Sequence, residues 1–273
     1  MRGLLSGTSE RAPGMIGIFD SGIGGLSVLR ALQRQIPGGD FLYFGDTAGG
    51  PYENKSPELV AARVADGLSY LADSGADLLV VADHGAAACL TADIRHRFSI
   101  PLLDILSDGV IPGVKVRGPK AIGIMGPVVV ETAGTHVAVL QKALPETRIY
   151  SAAVPLLCPL VEAGWMKRPE TAMIVKKYLH FFKLRQIDTL VLGSNHYPLI
   201  ASHIQRKIGK RVAVVDAAPV LARAVGDHIL SSAKGEGATG TGTCRVVVSD
   251  MTDGAAKSAR MFYGKNIRLE RLA

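Results

Sequence analysis

Three short stretches pass abruptly from apolar residues to groups able to move protons. DLLVVADHGAAA (77–88) ends an apolar run on Asp83-His84, with Gly85 and small residues behind it; TLVLGSNH (189–196) ends on Ser194-Asn195-His196; IGIFDSG (16–22) ends on Asp20-Ser21. A carboxylate such as Asp83 is a weak base in water, but burial in a cleft raises its pKa and makes it a more capable one. A serine hydroxyl has no accessible anion near neutrality, so Ser194 needs a neighbour to activate it, and His196 is two positions away. This pattern points to asymmetric acid-base work, with Asp83 as base and His84 or His196 as proton partner. The same residues also suit a plainer role, since Asp20-Ser21 and Asp83-His84 are of the types that cap helix N-termini.

The positioning elements follow from periodicity. Apolar runs at 16–19, 41–44, 78–81, 101–105, 121–125, 148–154, 189–192, 212–215 and 245–248 read as buried strands, and helical spacing fills segments such as 26–36, 57–73 and 169–186. Alternating strands and helices predict parallel sheets covered by helices. The sequence also echoes itself: ADLLVVAD (76–83) matches IDTLVLGS (187–194) at an offset of 111, and IPLLD (100–104) matches VAVVD (212–216) at 112. The expected fold is therefore α/β, with two similar parallel-sheet domains related by internal duplication and a ligand cleft between them. The expected boundaries are a flexible leader at 1–14, a first domain of 15–98 plus 210–273, and a second of 99–209. Asp83 and Ser194 occupy equivalent strand ends, where open α/β sheets bind ligands. Asp46-Thr47 after FLYFG stands at a further such end, and KGEGATGTGT (234–243) reads as a loop.

Composition narrows the partners. With 31 basic and 24 acidic residues the formal charge is +7, but the basic residues are scattered and few aromatics accompany them, so no nucleic-acid partner is expected. No long apolar run suggests a membrane span. Cys89, Cys158 and Cys244 are widely separated, with neither metal-ligand spacing nor a paired framework, which fits a reducing cytoplasm. Gly22, Gly24 and Gly25 do not meet the G-x-G-x-x-G spacing of a dinucleotide loop. Asp83, His84 and His196 are of metal-ligand type, but adjacent side chains seldom both point inward, so neither a metal nor another cofactor is expected.

IGIFDSGIGGLSVLRAL (16–32), YFGDTAGGPYENKSPE (43–58), PLLCPLVEAG (155–164) and GSNHYPLI (193–200) together resemble the glutamate racemases of the aspartate/glutamate racemase superfamily, in register from about Met15 to the end of the chain. The resemblance implies a cofactor-independent enzyme that supplies D-glutamate for peptidoglycan, its substrate held between two α/β domains with one cysteine on each face of Cα. Here the pattern departs at the decisive places. Asp83 stands for the first cysteine and Ser194 for the second, Glu53 replaces the glycine after Pro51-Tyr52, and Ser107 stands where a glutamate is expected. Cys89, about one and a half helical turns past Asp83, is read as a buried inert thiol, and Cys158 as outside the alignment.

The expectation is a cleft binding a small amino or dicarboxylic acid, with Asp20, Ser21, Pro51, Tyr52, Glu53, His84, Gly85, Asn195 and His196 lining it, and with Asp83, Ser194, His84, His196 and Asp20 as the chemical groups. Racemisation by two cysteines is not expected. A non-catalytic ligand-binding or regulatory protein on the same scaffold is the alternative, and a cysteine-substituted but otherwise ordinary scaffold is a third. Assembly as a homodimer belongs to the same set of expectations.

Overall fold

A computed structural model of the chain describes residues 14–232 and 242–272. The leader, apart from Gly14, and most of the glycine-rich connection at 234–243 lie outside the described residues. Among the described residues ten strands form two sheets, every pair parallel. They are β1 (Ile16–Asp20), β2 (Phe41–Gly45), β3 (Leu78–Val81), β4 (Leu102–Asp104), β5 (Ala121–Gly126), β6 (Arg148–Ala153), β7 (Thr189–Leu192), β8 (Ala213–Val215), β9 (Cys244–Val248) and β10 (Glu270–Arg271). The first sheet has the order β10-β9-β2-β1-β3-β4 and the second β6-β5-β7-β8.

The shared order β2-β1-β3-β4 and β6-β5-β7-β8 is the duplication seen in space. It extends to packing. A Cβ on Gly17 of β1 would lie 2.9 Å from Ala76 and 3.1 Å from Leu71, and one on Gly123 of β5 would lie 2.6 Å from Phe182 and 2.7 Å from Ile187. Leu71 and Phe182, like Ala76 and Ile187, are 111 positions apart. Each unit thus uses a glycine on its central strand so that the helix before β3 or β7 and the turn into that strand can approach closely. The strand exits match as well: Ala82 donates its N–H to Phe19 O at 2.9 Å, and Gly193 donates to Met125 O at 2.8 Å.

The unit boundaries differ from those expected. β4 pairs with β3 and β8 with β7, so the chain leaves the first sheet after Asp104, not at residue 98, and leaves the second after Val215, not at 209. The reason is that both IPLLD and VAVVD are the outer strands of their own units and not the first strands of the next. Each then ends on an acid that organises the crossover. Asp104 Oδ1 accepts from Leu106 N and Ser107 N at 2.8 Å, and Asp216 Oδ1 accepts from Ala218 N at 3.0 Å. β10, only two residues long, has no periodic signal to announce it.

The helix Pro57–Asp73 shows how sequence builds the layer over β1. Ser56 Oγ accepts from Leu59 N at 3.3 Å and Pro57 occupies the first turn, where no N–H partner is needed. Val60, Val64, Leu68 and Leu71 recur at helical spacing and are fully buried. Between them Gly67 admits the Phe19 ring, whose Cε2 would lie 2.1 Å from an added Cβ. Alanine there gains about 1 kcal/mol of helix propensity but overpacks a core aromatic at a cost of roughly 1–3 kcal/mol. Gly67→Ala is therefore expected to lower stability in urea denaturation by up to about 2 kcal/mol; a gain in stability would show that Phe19 is not clamped there.

Candidate active site

The exits of β1, β3 and β7 converge. Asp20, the last residue of β1, is buried; its Oδ1 accepts from Gly22 N at 2.8 Å and its Oδ2 from Asn195 Nδ2 at 3.3 Å. Asn195 Nδ2 also donates to Ala82 O at 2.9 Å, so one amide ties the loop after β7 to those after β1 and β3. Asp83 caps the helix His84–Ala88, its Oδ1 accepting from Ala86 N at 2.6 Å, while Oδ2 accepts from Ser21 Oγ at 3.2 Å. One oxygen of Asp83 is thus a helix cap, and the other is bonded to Ser21 of the loop after β1.

On the opposite loop Ser194 Oγ lies 3.3 Å from His196 Nδ1 and accepts from His196 N at 3.2 Å. His196 Nε2 lies 3.0 Å from Glu162 Oε1, and the imidazole meets Phe262 edge to face at 5.0 Å. Ser194, His196 and Glu162 thus form a continuous hydrogen-bonded chain. A hollow of about 450 Å³ opens beside these groups, lined among others by Asp20, Ser21, Glu53, Glu162, His196 and Lys257. Asp83 and Ser194 stand one layer behind it, the first against Ser21 and the second against His196.

Burial dominates the electrostatics. It raises Asp20 to about 7, helped by the charge of Asp83 and opposed by the Gly22 N–H. Burial also raises Asp83, against the hydrogen bonds from Ala86 and Ser21. Two adjacent buried carboxyls cannot both ionise cheaply, so the pair holds a proton near neutrality. For His196 burial favours the neutral ring, but Glu162, Glu53 and Asp20 together outweigh it and its pKa rises. Glu53 is raised by burial.

Not every expected residue reaches the hollow. Pro51 and Glu53 do, but Tyr52 is buried and donates its hydroxyl to Asp46 Oδ2 at 2.7 Å; Asp46 also accepts from Gly49 N and Ser249 Oγ, which makes it the anchor of this loop. Gly85 is packed against Val129. His84 is turned away, buried with Nδ1 3.2 Å from His136 Nε2 and the two rings stacked at 5.5 Å. As the first residue of a helix it follows Asp83 around the turn, so the two side chains diverge, and of the two candidate proton partners only His196 touches the site.

Cys158 is a correction in the other direction. Its Sγ lies 3.4 Å from Ser194 Oγ, so the neighbourhood holds a thiol that the motif alignment set aside. Burial and Glu53 push that thiol well up. Cys89 is buried and pushed up to about 12, in keeping with an inert role. The missed groups had one legible signal: in PLLCPLVEAG, Cys158 and Glu162 are four apart and so share a helix face. Lys257, on the helix Asp253–Phe262, had none, because it reads like any lysine on an amphipathic surface.

No family model matches the chain. The glutamate racemase of Geobacter metallireducens is 33% identical over 249 residues, covering 91% of this chain and 92% of that protein. The chain belongs to the glutamate racemase family. Among solved structures, the glutamate racemase isoform RacE1 of Bacillus anthracis matches with a TM-score of 0.87 at 28% identity, over 97% of this chain and 98% of its own. The glutamate racemase of Thermus thermophilus, solved with β-chloro-D-alanine, matches at 0.80 with 26% identity, over 96% and 98%. Both likenesses span the two sheets of this glutamate racemase relative. Among its described residues no helix is long and apolar enough to cross a membrane.

The His84–His136 pair gives a pH test. Burial lowers both, His136 to about 4 from an ordinary 6.5. Below 6.5 the unfolded imidazole takes up a proton that the folded one refuses, so this contribution to stability is lost as pH falls from 6.5 towards 4. Asp20 runs the other way, its raised value favouring the folded state as pH falls below about 7. His136→Gln removes only the first effect. Its stability is expected to fall less than that of the unaltered protein between pH 7.5 and 5.5, by about 1 kcal/mol; parallel urea-midpoint curves would refute the buried neutral pair.

Proposed function

We propose that this chain is a divergent glutamate racemase-like protein that binds a small amino or dicarboxylic acid in the hollow between its two units and moves a proton at that ligand without two cysteines. Asp83 takes the place of one thiol and Ser194 of the other. In this reading Asp83 is the base on one side, tuned by burial and by Ser21. Ser194 is the proton relay on the other side, polarised through His196 and Glu162. The observation that carries the reading is the chain from Ser194 to His196 to Glu162, which gives the hydroxyl the activating neighbour that a lone serine lacks. Support for the ligand class comes from the family's amino-acid chemistry and from Lys257, which offers a cation to a carboxylate at the hollow. The cytoplasm and a place in cell-wall precursor supply accompany this reading, and a homodimer is compatible with it.

A second reading is favoured by one feature. Asp83 and Ser194 lie behind Ser21 and His196 and do not line the hollow, which suits a protein that holds its ligand without turning it over. Incubation with L- and D-glutamate, aspartate and other small acids in deuterated water separates the two. The enzyme reading expects deuterium at Cα, reduced by at least about a hundredfold in Asp83→Asn and in Ser194→Ala. Thermal stabilisation by a ligand with no deuterium uptake would replace it with the binding reading, and neither effect with any acid would remove the proposed ligand class.

A further inference from the structure

Three groups from three different elements meet beside the hollow, Glu53 and His196 lining it and Cys158 buried behind them. Glu53 comes from the short turn Tyr52–Asn54 after β2, Cys158 from the helix Leu157–Glu162, and His196 from the loop after β7. One potential ligand atom of each lies within 4.8 Å of those of the other two. The sequence separates them by more than a hundred positions in one case and by tens in the other, so no local spacing announces the cluster.

We propose that Glu53, Cys158 and His196 form a site for a borderline divalent cation of the zinc class, with at least one coordination position open to the hollow. Carboxylate, thiolate and imidazole are the donor types that Zn²⁺ takes, and three protein ligands with an open position are the pattern of a site that binds a further ligand. A tetrahedral ion with bonds of about 2.0–2.3 Å holds its donors roughly 3.5 Å apart. The trio must therefore contract by about an ångström, which is within reach of Glu53, a partly exposed side chain on a short turn.

Behind the trio, the fully buried Tyr197 hydroxyl faces the Cys158 sulfur. A sulfur made anionic by metal binding would be a stronger acceptor for it than the thiol is. On binding, the thiol releases its proton to solvent and the metal–sulfur bond takes its place, with no change in oxidation state. Glu162, already 3.0 Å from His196 Nε2, is placed to orient the imidazole or to enter as a fourth ligand.

The site stands independently of any turnover, and so does its test. The full chain carrying Cys244→Ser, which removes the exposed thiol, is titrated with Co²⁺ and its absorption recorded. One ion per chain is expected, with tetrahedral d–d bands and a sulfur-to-cobalt charge-transfer band. Adding Cys158→Ser should abolish the charge-transfer band, and adding Glu53→Gln should weaken binding by at least about tenfold, while thermal melts of the metal-free variants report whether each is folded. Zn²⁺ should displace the cobalt. Failure to bind a stoichiometric ion, or a charge-transfer band that survives Cys158→Ser, would overturn the proposal. If Cys158→Ser does not fold, unchanged cobalt affinity in the folded Glu53→Gln variant would do the same.

Discussion

One side-chain amide holds the candidate site together. Asn195 donates to Asp20 Oδ2 and to the Ala82 carbonyl, and a carbonyl can only accept, so the amide's orientation is fixed by the bonds it makes. Through it the end of β7 in one unit is joined to the ends of β1 and β3 in the other. All three groups are buried, and losing the amide would take this donor from Asp20 Oδ2 and from the Ala82 carbonyl in a buried region, which costs more than the bond contributes when made. The position of His196 and Ser194 opposite Asp20 and Asp83 follows from this tie.

On the proposed reading a carboxyl and a hydroxyl stand where two thiols would, and that changes what such a cleft can do. Two thiols of similar acidity can exchange roles, one accepting a proton as the other gives one up. An aspartate and a serine cannot, because their proton affinities are far apart. The surroundings reduce the gap from both sides: burial moves Asp83 upward, and His196 with Glu162 supplies Ser194 with a proton acceptor. The cleft is also acidic, with Glu53 and Glu162 at the hollow and the Asp20–Asp83 pair at its base. Such a site discriminates against a doubly anionic ligand unless Lys257 or a bound cation offsets the charge.

Much of the architecture was legible because duplication wrote it twice. The matched offsets identified β3 with β7 and β4 with β8, and the structure returns the same strand order and the same glycine-mediated helix approach in both units. Unit boundaries were not legible, since an apolar strand looks the same whether it closes one sheet or opens the next, and only pairing assigns β4 and β8. In the site, the residues at strand ends were found because chain direction dictates where they fall. His84 misled because adjacency in sequence is not adjacency at a helix start, where successive side chains point apart. Cys158 and Glu162 announce only a shared helix face through their four-residue spacing, and which way that face turns is set by tertiary packing. Lys257 comes from a helix whose docking depends on β9 and the C-terminal segment, which no local pattern specifies.

The central claim is that the ends of β1 and β3 bury Asp20 and Asp83 as neighbours, so that Asp20 keeps a proton near neutrality, with Asn195 of the other unit bonded to it. Carbon-13 NMR of the aspartate carboxyls across a pH titration tests it most directly. The account predicts one carboxyl titrating near 7, far above the ordinary 3.8, and a fall in that value when Asp83 is changed to Asn. Aspartate resonances that all titrate in the ordinary range, unaffected by that substitution, would contradict it.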